Sequence, residues 1–337
     1  MKTRTLLMLS GFFAACSSST GAPKQEHPDL LRGVSLAGAE FGEQNLPGTY
    51  GADYVYPTYE ELNYFSDQGM NVFRLPFRWE RLQTVPGAEL DADELARLSD
   101  VVAYATDKGA SVILDPHNYA RYAGRLIGEG PSVAEFADFW ARLARIFSAN
   151  PRVILGLMNE PHDIQAEAWL DAANAAIASI RAEGATNLIL VAGTNWDGAA
   201  NWYADWGFGV NAEVMSGVVD PADNFAIEVH TYFDLDSSGT APSCVTRKVG
   251  SGRLSYFTKW LKEHKKRGFL GEFGASSDET CLAALDDTLS YLEANADVWA
   301  GFTYWAAGPW WGDYMFSIEP VPGLEKPQMQ VLSKYLP

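Results

Sequence analysis

Val153-Ile154-Leu155-Gly156-Leu157-Met158-Asn159-Glu160-Pro161-His162-Asp163 is the stretch whose reading decides the fold. Its apolar residues run without alternation and stop at Asn-Glu-Pro. That pattern predicts a strand buried on both faces, as in a parallel sheet. Pro161 cannot continue a ladder, so the strand is expected to end there, with Glu160 at its carboxyl end. A carboxylate in such a place is costly unless something uses it.

A second stretch has the same form. Phe269-Leu270-Gly271-Glu272-Phe273-Gly274 is short and apolar and ends in a carboxylate followed by Phe and Gly. On two strands of one parallel barrel, Glu160 and Glu272 would face each other across the carboxyl-terminal mouth, where barrel enzymes keep their active sites. Paired carboxylates there point to glycoside hydrolysis.

The rest of the chain supplies the alternation such a barrel needs. Strands are expected at Gly33–Phe41, Asn71–Pro76, Ser111–Pro116, the Glu160 stretch, Asn187–Gly193, Asn224–Tyr232, the Glu272 stretch and Gly301–Ala307. Helices are expected between them, for example at Tyr59–Gly69 and Leu90–Gly109. Val133, Phe136, Trp140, Leu143 and Phe147 mark another by their three- and four-residue steps, and that stripe makes Trp140 core. Glu325–Tyr335 reads as a closing helix. Eight strand–helix units predict an α/β fold, a single (β/α)8 TIM barrel. An open doubly wound sheet is the alternative. No Gly-x-Gly-x-x-Gly follows a strand, which weakens its nucleotide-binding version.

Of the 337 residues, 47% are hydrophobic, enough for one large core, and no compositional break divides residues 30–337. The reading is one catalytic domain there, with 16–29 a flexible tether and 1–15 a signal peptide. Lys2 and Arg4 precede an apolar run too short to span a membrane. The ending Phe13-Ala14-Ala15-Cys16 resembles a bacterial lipoprotein signal, with Cys16 the lipidated residue and an outer-membrane location implied. Cys244 and Cys281 remain, and in an exported protein they are a candidate disulfide between two loops.

The net charge of −18 argues against nucleic acid and anionic membranes as partners, and for a neutral substrate. Lys262, Lys265, Lys266 and Arg267 read as a solvated helix end. A metal site is not expected, because the five His are scattered and none lies on the first strand. No cofactor is expected, and the chain is expected to be a monomer whose contact with a membrane runs through the lipid anchor.

Most strand ends carry a polar or aromatic residue: Arg74, His117, Asn159 with Glu160, His230 with Tyr232, Glu272 and Trp305. Folding needs alone do not place six such strands at one face. The motifs Asn-Val-Phe-Arg-Leu-Pro, Met-Asn-Glu-Pro-His-Asp, His-Thr-Tyr, Gly-Glu-Phe-Gly and Thr-Tyr-Trp-Ala-Ala-Gly resemble glycoside hydrolase family 5, the cellulase family. Asp163 and the Ser-Ser-Gly-Thr loop before Cys244 resemble its endo-β-1,4-glucanases. The resemblance implies a β-glycan polysaccharide as substrate, Glu160 as general acid/base and Glu272 as nucleophile. Arg74 would hold Glu272 ionised, and that anion would keep the proton on Glu160. Tyr232 would orient Glu272, His230 would touch Glu160, Asn159 and His117 would contact sugar hydroxyls, and Trp305 would form a sugar platform. His162 is left between a structural role and a functional one. Trp196, Trp202, Trp206, Trp310 and Trp311 fall in loops, and Trp196, Trp310 and Trp311 are the chosen candidates for further platforms. The rival readings are another β-glycan (mannan, xyloglucan or mixed-linkage glucan) and a non-catalytic glycan-binding surface protein.

Overall fold

The computed structural model describes residues 30–337. Eight parallel strands close into a barrel: β1 (Leu31–Leu36), β2 (Val72–Phe77), β3 (Ser111–Pro116), β4 (Val153–Gly156), β5 (Ile189–Ala192), β6 (Phe225–His230), β7 (Gly268–Glu272) and β8 (Trp299–Ala307). They neighbour one another in chain order, and β8 pairs with β1 to complete the ring. The helices are α1 (Tyr59–Asp67), α2 (Ala92–Asp107), α3 (Val133–Phe147), α4 (Ala166–Ala182), the single turn α5 (Asn211–Val214), α6 (Val249–His264), α7 (Glu279–Ala294) and α8 (Pro327–Leu332), with one further single turn, Trp79–Leu82, directly after β2. None of these is long and apolar enough to cross a membrane.

Local chemistry sets the helix starts. Thr58 with Glu61, and Ser132 with Glu135, form capping boxes that satisfy the first free N–H groups of α1 and α3. Asp91 and Asp278 cap α2 and α7 in the simpler way. The apolar stripe of α3 is buried as its spacing predicts, and Trp140 donates from Nε1 to the Leu157 carbonyl at 3.1 Å.

Period-two alternation fills the barrel in layers. Val72, Ile113, Ile154, Leu190, Ala226, Phe269 and Ala300 form an apolar floor. Two residues further along the same strands stand Arg74, Asp115, Gly156, Ala192, Glu228 and Gly271, so the next layer is charged. The glycines make room for it. A Cβ on Gly271 would sit 2.0 Å from Glu228 Oε1, and one on Gly156 would touch Ile113 at 3.2 Å. The Gly that precedes Glu272 is thus fixed by a neighbour on β6.

Several expectations needed correction. β4 ends at Gly156, four residues before Glu160, although Asn159 still donates from its amide to Pro116 O at 3.0 Å. Glu160 itself has a left-handed backbone, φ 41°. Chain curvature at the rim, and not a longer ladder, therefore aims its side chain. Cys281 lies in the first turn of α7, not in a loop, and is bonded to Cys244. The bridge closes a separation of 37 residues, for which the loop-entropy model gives about 4 kcal/mol. The closing helix is shorter than expected, with a 3-10 turn at Ser333–Tyr335 after it. The hairpin of Arg121–Tyr122 with Arg125–Leu126 has no clear periodic signal in so few residues. The signal, the tether and Cys16 lie outside the described residues.

Candidate active site

Arg74 is the centre of the polar layer. It is almost fully buried and reaches four partners. Nη1 donates to Glu272 Oε1 at 2.7 Å and Nη2 to Asn159 Oδ1 at 2.7 Å. Asp115 Oδ2 lies 3.1 Å from Nη2, and Glu228 Oε1 lies 3.5 Å from Nε. Burial works against the guanidinium charge, but the three carboxylates outweigh it and raise the Arg74 pKa. The opposite balance acts on Glu272. Burial would raise its pKa, but the positive charges of His230 and Arg74 hold it at about 2. The Tyr232 hydroxyl donates to its second oxygen at 2.7 Å.

Glu160 stands across the mouth, on the partly exposed side. Its Oε1 is 2.8 Å from His230 Nδ1, and the same nitrogen is 3.6 Å from Glu272 Oε2. Two oxygens that reach one nitrogen cannot be farther apart than those two distances laid end to end. That limit lies below the roughly 6.5 Å at which inverting carboxyl pairs begin. His230 is buried, which disfavours its charge, yet Asp197, Glu272, Glu160 and Glu228 raise its pKa well above the ordinary value.

Asn159 and His117 complete the floor. Asn159 Nδ2 is 3.2 Å from His117 Nε2, and His117 Nδ1 is 2.9 Å from Asp115 Oδ2. The network assigns the proton to Nδ1, leaving Nε2 to accept from the amide. One amide N–H of Asn159 then remains for a ligand hydroxyl. The His117 ring lies against Trp305, centroids 5.5 Å apart and planes 15° off parallel.

The family model for cellulase, glycosyl hydrolase family 5, matches residues 34–308. This chain belongs to glycosyl hydrolase family 5. The family 5 chain is 41% identical to a probable endo-beta-1,4-glucanase B of Aspergillus oryzae, over all of both chains. It is 42% identical to endo-beta-1,4-glucanase A of Emericella nidulans, covering 95% of this chain and 94% of the relative. Among solved structures, the endo-beta-1,4-glucanase Xac0029 of Xanthomonas axonopodis pv. citri is 48% identical with a TM-score of 0.89, covering 91% of this chain and 98% of that one. XacCel5A in complex with cellopentaose is 45% identical, also at TM-score 0.89, covering 90% and 98%.

The mouth of this family 5 barrel opens into a cleft of about 1040 Å³, lined among others by Tyr119, Glu160, His162, Trp196, Trp206, His230 and Tyr232. The aromatic residues divide sharply. Trp196 is exposed and stacks on His162 at 4.5 Å, with Trp206 at 6.3 Å. This gives His162 a place in the cleft wall. Trp202 is fully buried against Phe257 and Trp260 and takes no part. Trp311 packs on Trp305, Phe41 and Tyr314, beside the expected sugar platform, and Trp310 next to it is exposed.

Sequence reasoning passed over Asp115, Asp197, Glu228 and Tyr119. Glu228 had a signal, a carboxylate in the middle of the apolar run Phe-Ala-Ile-Glu-Val. Asp115 had a weaker one, an acid inside a strand end. Asp197 lay in a polar loop and had none. Glu160, Asp197 and His230 offer ligand atoms all within 4.8 Å of one another. Ligand atoms on one tetrahedral zinc stand about 3.3 Å apart, given Zn–N and Zn–O bonds near 2.0–2.1 Å. The 2.8 Å between Glu160 and His230 is the length of a hydrogen bond.

Proposed function

We propose that the chain is a retaining endo-β-1,4-glucanase, with Glu272 the nucleophile and Glu160 the general acid/base. The observation that carries this is His230 reaching both carboxylates while Arg74 and Tyr232 hold Glu272 as an oriented anion. In the first step a Glu272 oxygen bonds to the anomeric carbon. The glycosidic C–O bond breaks, and Glu160 delivers its proton to the departing oxygen. The His230 imidazolium stabilises the carboxylate left behind. In the second step Glu160 takes a proton from water, the resulting hydroxide bonds to the anomeric carbon, and Glu272 is released. Asn159 and His117 bind hydroxyls of the sugar undergoing cleavage, and Trp305 supports its face. Trp196 extends the platform. Trp310 and Trp311, on the β8 side next to Trp305, would carry the platform on for a chain that leaves that way.

The size of the cleft and its exposed Trp196 and Trp206 favour attack within a polymer. On carboxymethylcellulose the expected result is a viscosity loss far ahead of reducing-end release. In a comparison across β-glycans, β-1,4-glucan should be cleaved fastest; a faster rate on β-mannan would overturn the assignment of the sugar. The proposed monomer is checked by the mass of the protein in solution.

We also propose that the protein is exported, as the disulfide supports. The finer reading of a lipidated Cys16 at the outer membrane rests on residues 13–16 alone. Mass spectrometry of the mature N-terminus checks it, and an unmodified terminus would remove the anchor.

A further inference from the structure

The loop after β5 carries a carboxylate that the steps above do not use. Asp197 is fully buried, and neither of its oxygens has a hydrogen-bond partner. Burial pushes its pKa well above the ordinary carboxylate value, and the positive charge of His230 acts against that rise. His230 is the group that faces it, with Nδ1 3.4 Å from Asp197 Oδ1. The same nitrogen donates to Glu160.

The backbone is shaped to bring this about. Asn195, Trp196 and Asp197 are consecutive residues with φ of 56°, 55° and 41°, a left-handed run that side-chain-bearing residues avoid. Such conformations persist where the surroundings over-determine them, and they cluster at functional sites. Here the loop is held to both members of the proton pair. Trp196 N donates to Pro161 O at 3.1 Å, one residue from Glu160, and Gly198 forms a parallel bridge with His230.

We propose that Asp197 is a positioning residue for the proton transfer. It keeps the His230 ring charged and its Nδ1–H directed at Glu160 while Glu160 gives up and regains its proton. The inference rests on the glucanase reading above. The groups facing His230 are Glu160 on the rim after β4, Asp197 after β5, Glu228 on β6, 3.7 Å from Nε2, and Glu272 on β7. Arg74 already serves Glu228 and Glu272. Among the described residues Asp197 has no such cation beyond His230, so that ring is the group it is placed to orient.

The test is Asp197→Asn, because Asn tolerates the left-handed backbone. Two substrates are compared: cellopentaose, whose leaving sugar needs a proton, and 2,4-dinitrophenyl β-cellobioside, whose leaving phenolate does not. The expected kcat/KM with cellopentaose falls about 10- to 100-fold, in kcat rather than KM, while with the dinitrophenyl substrate it stays within about twofold. General damage to the fold would lower both alike, so an equal loss overturns the proposal, as does no loss on cellopentaose. A wild type inert on both would sink the glucanase reading itself. Should the variant not fold, proton NMR of the wild type decides. A downfield imidazole N–H of His230 retained above pH 7 is expected, and a ring that loses its charge near pH 6.5 overturns the role.

Discussion

Replacing Glu272 by Gln lowers kcat on carboxymethylcellulose by at least about 10⁴-fold, the scale of losing a nucleophile. The fold survives, because Arg74 keeps Asp115, Glu228 and Asn159 as partners. Activity is the first measurement and thermal unfolding the control. A residual activity above a few percent would reject Glu272 as nucleophile. The roles of the two carboxylates are separated with Glu272→Ala, Glu160→Ala and sodium azide. In Glu272→Ala, azide fills the vacated space and attacks the anomeric carbon of a dinitrophenyl cellobioside from the nucleophile's face, giving the α-azide. In Glu160→Ala, azide replaces the water of the second step and gives the β-azide. The reverse pattern would exchange the assignments. The pH profile carries the same information. Glu272, held at about 2 against burial by His230 and Arg74, stays ionised across the working range. The acid limb of kcat/KM should therefore not show an ordinary carboxylate near 4.5 from this residue.

Arg74→Met removes the cation that the polar layer is built on. Three buried carboxylates lose their shared partner, and breaking a buried ion pair from one side costs about 3–5 kcal/mol. Urea unfolding at pH 7 measures it, and a loss under about 1 kcal/mol would mean that the layer is held by other groups. The sign of its pH dependence follows from Glu272. A carboxylate whose folded pKa is depressed adds stability above its unfolded value and loses that stability as pH falls towards the folded one. In the wild type this contribution is present at pH 7 and fades between about 4.5 and about 2. In the variant the carboxylates face burial without the guanidinium and favour their neutral forms. The gap between the two proteins should thus be widest at neutral pH and narrow as pH drops below about 4. Catalysis fails along with stability, because Glu272 loses its orienting partner.

The strand–helix alternation was legible because apolar runs, helical spacing and punctuating Gly and Pro are local properties. The ends of the elements were less so. Nothing in the run Gly156-Leu157-Met158 says that its ladder stops early; the barrel's curvature at the rim decides that. The aromatic residues show the same division. Trp196 and Trp202 lie six positions apart in one polar loop with similar surroundings, yet one lines the cleft and the other is core. Their fates depend on α6, whose Phe257 and Trp260 claim Trp202 from elsewhere in the chain.

The sequence by itself determined the strand–helix alternation of the barrel and the two stretches that carry its acids, since each follows from composition and period within a dozen residues. Only the tertiary structure decided which charges meet. Arg74 touches a carboxylate 198 positions away, and His230 ties Glu160, Asp197 and Glu272 to one nitrogen. The ionisation of each group is set by that enclosure, because burial and neighbouring charge act through space and leave no trace in the order of residues along the chain.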